Sequence, residues 1–303
     1  MKKIILIDGN AIGFASQNST VLTSERQEVQ ALFGFLKSLR VSRVGYPDHT
    51  PVVLWDGSEN WRKLFYPEYK ANRKVDPKMV KMRENYQAIR PVIAKAVGLL
   101  GVRQMIDRHS EADDLAGHLV RELREKAESI MLITGDRDWL QLVRQNVAWG
   151  DPRDDSRFCN HANFAEYTGV ATPRQFLEMK ALMGDTSDNI KGVGGIGEVY
   201  AKGIMFQFGS VEGLIKAVAA GTGNVGVGKR QRVRELATGE TEARDLFERN
   251  IKLMNLIDAP PPVDLKVIKG RFDRERFGEL CAHYNFASIL RDFTQWTQPF
   301  INS

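Results

Sequence analysis

Three short apolar runs that lead into an aspartate restrict the fold of this 303-residue chain more than any other feature. The acid follows at once or after one glycine: residues 4–7 lead to Asp8, 51–55 to Asp56 and 130–134 to Asp136. Runs this short that are apolar throughout are typical of strands buried on both faces, as in a parallel sheet covered by helices. The pattern therefore predicts an α/β fold whose strands end in acidic side chains.

Helical spacing between these runs completes an alternation of strand and helix. A fourth apolar run at residues 102–106 predicts another strand, and a helix is predicted from about 77 to 100. Two further helices are predicted to be capped by Ser24, which has Gln27 three residues later, and by Ser110. Repeated alternation predicts a mainly parallel central sheet flanked by helices on both faces.

The character of the sequence changes near residue 172. Thr172 and Pro173 predict the start of a helix, and strand signals nearly vanish beyond that point apart from residues 263–268. We therefore expect two parts, an α/β domain at residues 1–172 and a helical region at residues 173–303 that packs against it.

The composition is that of an ordinary globular protein with an excess of basic residues. Hydrophobic residues make up 43% of the chain, the net charge is +5 and the isoelectric point is about 9.1. This excess weakly favours a polyanionic partner. Cys159 and Cys281 are far apart, which argues against a zinc ribbon or a disulfide framework and fits a reducing compartment. No apolar run is long enough for a signal peptide or a membrane span, so we expect a soluble cytoplasmic protein without a membrane partner.

Further acids fall on the same predicted edge of the sheet. The carboxyl ends of parallel strands lie at one edge, where Glu111, Asp113 and Asp114 begin a helix, while Asp185 and Asp188 lie three residues apart beyond it. Carboxylates this close together repel one another unless cations hold them. Oxygen ligands without histidine or cysteine favour Mg²⁺ or Mn²⁺, and two such ions about 3.5–4 Å apart promote phosphoryl transfer.

Each aspartate also has a simpler interpretation. Taken singly it is a turn residue or a helix cap, and Asp113 and Asp114 would complement a helix dipole. Separate caps do not explain so many acids on one predicted edge. We therefore predict a shared metal site made of Asp8, Asp56, Glu111, Asp113, Asp114, Asp136, Asp138, Asp185 and Asp188.

Six sequence blocks in a fixed order give the chain a resemblance to a known family. They are IDGN at 7–10, WDG at 55–57, YKANR at 69–73, EADD at 111–114, TGDRD at 134–138 and MGDTSDN at 183–189. The ordered set resembles the 5′-nuclease or flap endonuclease superfamily, in the form found in small bacteriophage 5′–3′ exonucleases and in the 5′-nuclease domain of bacterial DNA polymerase I. The blocks lie within about residues 4–205, two-thirds of the chain.

The resemblance implies separate roles for the acids. The ligands of a first Mg²⁺ or Mn²⁺ would be Asp8, Asp56, Asp113 and Asp136. The side of a second ion would be formed by Asp136, Asp138, Asp185 and Asp188. Glu111 and Asp114 would complete the coordination or hold water on the ions, and a site with three ions is an alternative. Asp113 and Asp136 are the acids that we expect to be most directly catalytic.

The block at 69–73 resembles the start of the family's helical arch, here about residues 62–98, which a single-stranded 5′ end would pass. Lys70 resembles the lysine that contacts the scissile phosphate, and Arg73 resembles its partner in the same helical turn. Tyr69 resembles an aromatic residue that stacks on a base, and Lys74 extends the basic surface. The alternative interpretation of this block is a solvated basic helix face.

A glycine-rich run resembles the family's helix–three-turn–helix element, in which backbone amides approach the phosphates of duplex DNA. Gly192, Gly195 and Gly197 are its candidate contacts, and the resemblance adds K⁺ or Na⁺ as an ion for this turn. Val199 stands where many members have a lysine, so Lys202 is a substitute by hypothesis. Glycine-rich turns between helices are also common without this function.

A further basic cluster at residues 226–234 contains Lys229 and Arg230. Binding to duplex DNA and a solvated helix face are equal alternatives for it. The domain at 1–172 is thus predicted to be a metal-dependent nuclease domain, and the region at 173–303 a duplex-binding region.

The resemblance implies a structure-specific 5′-nuclease with 5′–3′ exonuclease and flap endonuclease action in DNA replication. Its partners would be branched or 5′-ended duplex DNA with a single-stranded flap, RNA–DNA primers and replication proteins. We expect a monomer that acts without an attached polymerase, and its size and resemblance suggest a phage origin. Products would carry 5′-phosphate and 3′-hydroxyl ends.

Two rival functions are weighed against this prediction. A PIN-type ribonuclease would use a similar sheet with fewer acids, but it would not need the glycine-rich run or the block at 69–73. A non-catalytic DNA-binding protein should have lost some of the acids, whereas all of them are present here.

Overall fold

The computed structural model describes residues 2–25, 27–222, 231–239 and 241–301. The strands are β1 (Lys2–Asp8), β2 (Thr23–Ser24), β3 (Gln27–Glu28), β4 (Thr50–Trp55), β5 (Arg103–Asp107), β6 (Ala127–Ile133), β7 (Val147–Asp151), β8 (Asp154–Cys159), β9 (Gly184–Asp185), β10 (Ile190–Lys191) and β11 (Leu265–Ile268).

The helices alternate with these strands in the first half of the chain and dominate the second half. They are α1 (Gly9–Gln17), α2 (Gln30–Gly45), α3 (Trp61–Phe65), α4 (Pro77–Leu99), α5 (Ala112–Leu123), α6 (Phe164–Thr168), α7 (Pro173–Met183), α8 (Glu198–Phe208), α9 (Val211–Ala219), α10 (Gln231–Thr238), α11 (Thr241–Met254), α12 (Arg274–His283), α13 (Ala287–Arg291) and α14 (Phe293–Thr297). Short 3₁₀ turns lie at Ala71–Lys74, Arg137–Leu142 and Gln298–Phe300. No helix of the described ranges is both long and apolar enough to cross a membrane.

One seven-stranded sheet organises the molecule, in the order β11-β5-β4-β1-β6-β7-β8. The five inner strands are parallel, and the two edge strands β11 and β8 run antiparallel to their neighbours. The predicted class, a mainly parallel sheet flanked by helices, is confirmed. The hairpin of β7 and β8 was not predicted, because β8 is polar and largely exposed and carries no apolar run.

Helices cover both faces of the sheet because the side chains of each inner strand alternate between two cores. Ile5 and Ile7 of β1 pack with α1, α2, α4 and the C-terminal helices α12 and α13. Ile4 and Leu6 point to the opposite face, where they pack with α5, α7 and α8. The apolar runs of the sequence are therefore strands buried on both sides, as their composition predicted.

The chain after residue 172 makes two different kinds of contact. Helices α7 to α11 extend the core on one face of the sheet. Beyond them, β11 joins the edge of the sheet through an antiparallel pairing with β5, and α12 packs on the opposite face. The predicted strand at 263–268 is thus present. The C-terminal part contacts both faces of the sheet.

Two predicted helix caps are wrong, and in both cases tertiary contacts decide the outcome. Ser24 lies in β2, which pairs with β3, and α2 begins at Gln30 instead. Ser110 does not cap α5, because its hydroxyl donates to Asp107 Oδ2 at 2.8 Å. The cap is Glu111, which forms a capping box with Asp114.

A close approach between α5 and the chain that follows α11 requires glycine at position 117. A Cβ there would lie 1.9 Å from the carbonyl oxygen of Leu256. We predict that Gly117→Ala lowers the free energy of unfolding by about 1–3 kcal/mol, because overpacking outweighs the better helix propensity of alanine. Urea denaturation measures the change. The matched control is Gly203→Ala in α8, where a Cβ would meet nothing within 4 Å, and it should gain up to about 1 kcal/mol. Equal effects of the two changes would contradict this packing argument.

Candidate metal centre

The ends of three parallel strands bring three aspartates to one edge of the sheet. Asp8 ends β1 and also caps α1, accepting from the backbone amide of Ala11 at 2.8 Å. Asp56 follows β4 and accepts from Asn10 Nδ2 at 2.7 Å and from the Ala112 amide at 2.9 Å. Asp136 follows β6 and caps the next 3₁₀ turn. Asp8 and Asp136 are therefore helix caps, and their position at one edge is compatible with the predicted shared site.

Helix α5 adds its first residues to the same place. A cavity of about 390 Å³ opens at this edge. Its charged lining consists of Asp8, Asp56, Lys70, Arg73, Arg83, Arg90, Glu111, Asp113 and Asp136. Asp113 is held by Trp139, whose indole donates to its Oδ1 at 2.7 Å. Acids that are up to 128 residues apart in sequence thus share one cavity, as the strand order predicted.

A second, narrower space lies beside the first and is lined by Asp113, Asp138, Asp185 and Asp188. Asp185 belongs to β9, and Asp188 lies in the turn that leads to β10. Asp113 lines both spaces. We call the nine predicted acids the site acids. Eight of them line these two spaces, and Asp113 belongs to both.

Burial and mutual repulsion make several of these acids hard to ionise. Burial and then the neighbouring Asp56 raise the pKa of Asp8 to about 7. Burial and then Asp138 raise the pKa of Asp136 to about 7. The pKa of Asp113 is raised well above its ordinary value by burial and by Asp136. Asp8, Asp113 and Asp136 therefore have too little positive charge around them to ionise readily.

Lys180 supplies part of the positive charge, and sequence reasoning missed it. Its Nζ lies 2.5 Å from Asp138 Oδ1 and 2.9 Å from Asp185 Oδ2, so it bridges the 3₁₀ turn and β9. Burial opposes its charge, but these two acids raise its pKa well above the ordinary value. The signal was weak, a single lysine in the last turn of α7 just before the acidic loop.

Arg62 was also missed as a site residue, although it lies in the predicted arch segment. It is 2% exposed, and its guanidinium donates to both oxygens of Asp114 at 2.7 Å and to Glu111 Oε2 at 3.3 Å. Its Nε donates to the Leu253 carbonyl at 2.7 Å. Asp114 therefore binds Arg62 below the cavity, and it also accepts a hydrogen bond from the Glu111 amide.

The predicted catalytic lysine contacts the site acids directly. Lys70 Nζ forms a short ion pair with Glu111 and lies 3.7 Å from Asp188 Oδ2. Burial disfavours the charged forms of Lys70 and Glu111, but the opposite charges around them together have the larger effect on both pKa values. The pKa of Glu111 is lowered to about 2 by Lys70 and Arg62, and the pKa of Lys70 is raised to about 12 by Glu111.

The other residues of the predicted arch block lie in different environments. Arg73 Nη2 lies 2.6 Å from Asp188 Oδ1, and the side chain is 38% exposed. Tyr69 is 3% exposed, and its hydroxyl donates to Glu111 at 2.8 Å and to Asp188 at 3.0 Å. The expected stacking of Tyr69 on a base is therefore corrected, because its ring is enclosed and its hydroxyl connects two acids. The side chain of Lys74 lies outside the described residues.

The segment before α4 is fastened to the loop that carries Asp185 and Asp188. The Lys70 amide donates to the Asp188 carbonyl at 2.9 Å. Asn72 Nδ2 donates to the Thr186 carbonyl and Asn189 Nδ2 to the Glu68 carbonyl, each at 2.7 Å. Within the described residues, no three Asp, Glu, His or Cys side chains are arranged so that they could hold a metal ion in this conformation. The lysines and arginines balance only part of the charge of the acids.

The glycine-rich run turns between β10 and α8. A Cβ at Gly192 would lie 2.2 Å from the Met183 carbonyl oxygen, and Gly195 has φ of +78°, so both positions require glycine. Gly197 is the N-cap of α8 and is not crowded. Lys202 forms an ion pair with Glu198 at 2.7 Å on the same helix. Lys229 and Arg230 lie outside the described residues.

The fold and this edge define an α/β protein with an acidic site at the carboxyl ends of its parallel strands. Residues 3–169 match the family described as 5′–3′ exonuclease, N-terminal resolvase-like domain. Residues 171–269 match the family described as 5′–3′ exonuclease, C-terminal SAM fold. The chain therefore belongs to the 5′–3′ exonuclease family, and the resemblance seen in the sequence blocks is confirmed.

Curated relatives include bacterial DNA polymerases I. The chain is 30% identical over 296 residues to the thermostable DNA polymerase I of Thermus filiformis, with 96% of this chain and 33% of the relative covered. It is 30% identical over 298 residues to DNA polymerase I of Mycobacterium bovis, with 95% and 31% covered. The chain thus spans about a third of the length of these relatives.

Solved structures with the same fold include two from bacteriophage T5. The T5 5′-exonuclease with divalent zinc ions has a TM-score of 0.69, 22% identity, and 99% of this chain and 98% of that chain covered. The T5 flap endonuclease in a pseudo-enzyme-product complex with DNA and metal ions has a TM-score of 0.68, 22% identity and full coverage of both chains. These likenesses establish the fold.

Removing the charge of Asp136 should stabilise the protein at high pH in the presence of a chelator. Because its folded pKa is raised to about 7, its contribution to stability is complete below its ordinary pKa of 3.8 and is lost as the pH rises through 7. We predict that Asp136→Asn gains about 1 kcal/mol over the parent protein at pH 8 and almost nothing at pH 4, a small gain because the side chain is exposed and solvent screens its charge. Chemical denaturation in EDTA at both pH values measures this, with the exposed Asp48→Asn as control. An equal gain at both pH values would refute the electrostatic origin.

Proposed function

We propose that this chain is a divalent-metal-dependent 5′-nuclease that hydrolyses phosphodiesters at 5′ ends and flaps of DNA, including RNA–DNA primers. The observation that carries the proposal is the cavity in which Asp8, Asp56, Glu111, Asp113 and Asp136 face Lys70 and Arg73. Membership of the 5′–3′ exonuclease family supports the reaction class. The T5 flap endonuclease, which shares the fold, has been crystallised with DNA and metal ions.

The donor set of the site fits two Mg²⁺ or Mn²⁺ ions. Its ligands are carboxylate oxygens without histidine or cysteine, and the raised pKa values of Asp8, Asp113 and Asp136 mark acids that need more positive charge. We propose Asp8, Asp56, Asp113 and Asp136 for the first ion, and Asp136, Asp138, Asp185 and Asp188 for the second. When bound, such ions supply an activated water and neutralise the departing oxygen.

The charged side chains of the chain itself would orient and neutralise the substrate phosphate. Lys70 keeps its proton, because its pKa is raised to about 12, so it presents a fixed positive charge to a phosphate in the cavity. Arg73 has more than a third of its side chain exposed and can reach the next phosphate along the strand. Asp114 and Arg62 would hold Glu111 in place from below.

Duplex DNA would be bound beside the site by the turn before α8. The positive φ of Gly195 and the close packing of Gly192 require residues without a side chain in this turn, which suits approach to phosphates and a K⁺ or Na⁺ ion. We propose that the protein acts as a monomer in DNA replication.

A PIN-type ribonuclease remains the rival function. The hydrogen bonds that join residues 69–73 to the acidic loop favour the flap nuclease, because they hold the basic block next to the site acids.

The activity should require both a divalent ion and a 5′ flap. With a 5′-labelled flap duplex, we expect Mg²⁺-dependent cleavage near the flap junction that is lost in EDTA, and much slower cleavage of a matched single-stranded RNA. Asp136→Ala should reduce cleavage by at least about 10³-fold, because it removes a proposed ligand of both ions. Preferred cleavage of the RNA would support the ribonuclease rival. Tight binding of the flap duplex without any cleavage would support the other rival function, a non-catalytic DNA-binding protein.

Lys70 should act on the chemical step more than on binding. We predict that Lys70→Met lowers kcat by about 10²–10³-fold with a smaller change in KM, as expected for a charge aimed at the transition state. Single-turnover cleavage of the flap duplex separates the two effects. Lys63→Met is the matched control, since Lys63 is an exposed lysine of the same segment. Equal losses in both variants would mean that Lys70 contributes general electrostatic attraction alone.

A further inference from the structure

Asn250 is a fully buried polar residue on α11, outside the predicted set of site residues, and it is 0% exposed. Its Nδ2 donates to the carbonyl of Ala181 at 2.8 Å and to the carbonyl of Lys191 at 2.9 Å. Its Oδ1 accepts from Arg249 Nε at 3.1 Å and from Arg249 Nη2 at 2.8 Å. The amide therefore uses two donors and two acceptor positions, which is its full capacity.

The two carbonyls that Asn250 binds lie at either end of the loop that carries two site acids. Ala181 is in the last turn of α7, where carbonyls lack partners within the helix. Lys191 is in β10, which pairs with β9 to close the loop. Asp185 and Asp188 lie between these ends. One side-chain amide thus ties the end of α7 to the closing strand and fixes the base of the loop.

Arg249 reinforces the same tie from the outer side. Its Nη2 donates to the Lys191 carbonyl at 2.9 Å, so this carbonyl accepts from two neighbouring side chains of α11. Its guanidinium lies 4.8 Å from the ring centroid of Tyr66. Tyr66 precedes the block at 69–73, which is bonded to the loop from above. The loop is therefore held between α11 and the segment before α4.

A second buried asparagine on the same stretch serves as a comparison. Asn255 is 8% exposed and follows the end of α11. Its side chain exchanges hydrogen bonds with Asp258, through Nδ2 at 2.8 Å and Oδ1 at 3.1 Å. These bonds close a local turn and do not reach the loop at residues 184–191. Burial of an asparagine near α11 is therefore separable from contact with the loop.

We propose that Asn250 is a positioning residue that sets the separation of Asp185 and Asp188 from Asp138 and so tunes the affinity of the second cation. The inference rests on the proposed function, because it assumes that these acids hold a divalent ion. Groups that orient metal ligands through hydrogen bonds typically change metal affinity by about 10–100-fold when removed. Asn250 acts through backbone carbonyls rather than by touching an acid, so its loss should loosen the loop without changing the charge of the site.

The test measures Mn²⁺ binding to the full chain in the absence of nucleic acid. The readouts are titration calorimetry and the electron paramagnetic resonance signal of free Mn²⁺. The parent protein should bind two ions. Asn250→Ala should weaken one of them about 10–100-fold and leave the other unchanged, while Asn255→Ala should leave both unchanged. Hydrogen exchange of residues 184–191 should be faster in Asn250→Ala, with exchange of β1 unaltered.

Arg249→Met is the second variant, because this half-buried position tolerates change if Asn250→Ala does not fold. Losing a positive charge would by itself tighten cation binding, so weaker binding of one Mn²⁺ in Arg249→Met supports positioning through the loop. Two ions bound with parental affinity in both α11 variants would overturn the proposal and leave the proposed function standing. A parent protein that binds no Mn²⁺ would overturn the two together.

Discussion

Mutual repulsion among buried carboxylates is the constraint on which the rest of this structure depends. The parallel sheet forces Asp8, Asp56 and Asp136 to one edge, where burial and then the neighbouring aspartates raise the pKa values of Asp8 and Asp136. Such an edge is stable only if cations are brought to it. Arg62, Lys70, Arg73 and Lys180 come from two separate parts of the chain. They form ion pairs with other site acids, which are Glu111, Asp114, Asp138, Asp185 and Asp188.

This distribution of charge ties the site to the packing of the two parts of the chain. The carbonyls of Leu253 and Met254, at the end of α11, accept from Arg62 and Gln141, which lie on the sheet side. Asn250, one turn earlier, donates to the carbonyls at both ends of the loop that carries Asp185 and Asp188. A single helix from the second half of the sequence thus supports α3, the 3₁₀ turn after β6 and the acidic loop. The site is a product of tertiary packing as much as of the sheet.

The sequence predicted the features that depend on local pattern, and it missed those that depend on contacts between distant segments. Apolar runs reveal buried strands, and the acids after them could be placed at one edge because parallel strands end together. Lys180 and Arg62 carry no such signal, since a lone lysine or arginine usually lies on a solvated surface. Tyr69 was predicted to stack on a base, but its burial depends on the acidic loop more than 110 residues away.

The acids and the basic side chains of the site must be considered together, because their charges partly cancel. Nine site acids face six cationic side chains, so full ionisation would leave three negative charges uncompensated. The six are Arg62, Lys70, Arg73, Arg83, Arg90 and Lys180. The raised pKa values of Lys70 and Lys180 mean that neither lysine would lose its proton to relieve this imbalance. Two divalent ions would bring four positive charges against these three. A phosphate in the cavity would add negative charge near Lys70 and Arg73. The phosphate would then compete with the carboxylates for these basic side chains, and the ions would compete with the basic side chains for the carboxylates.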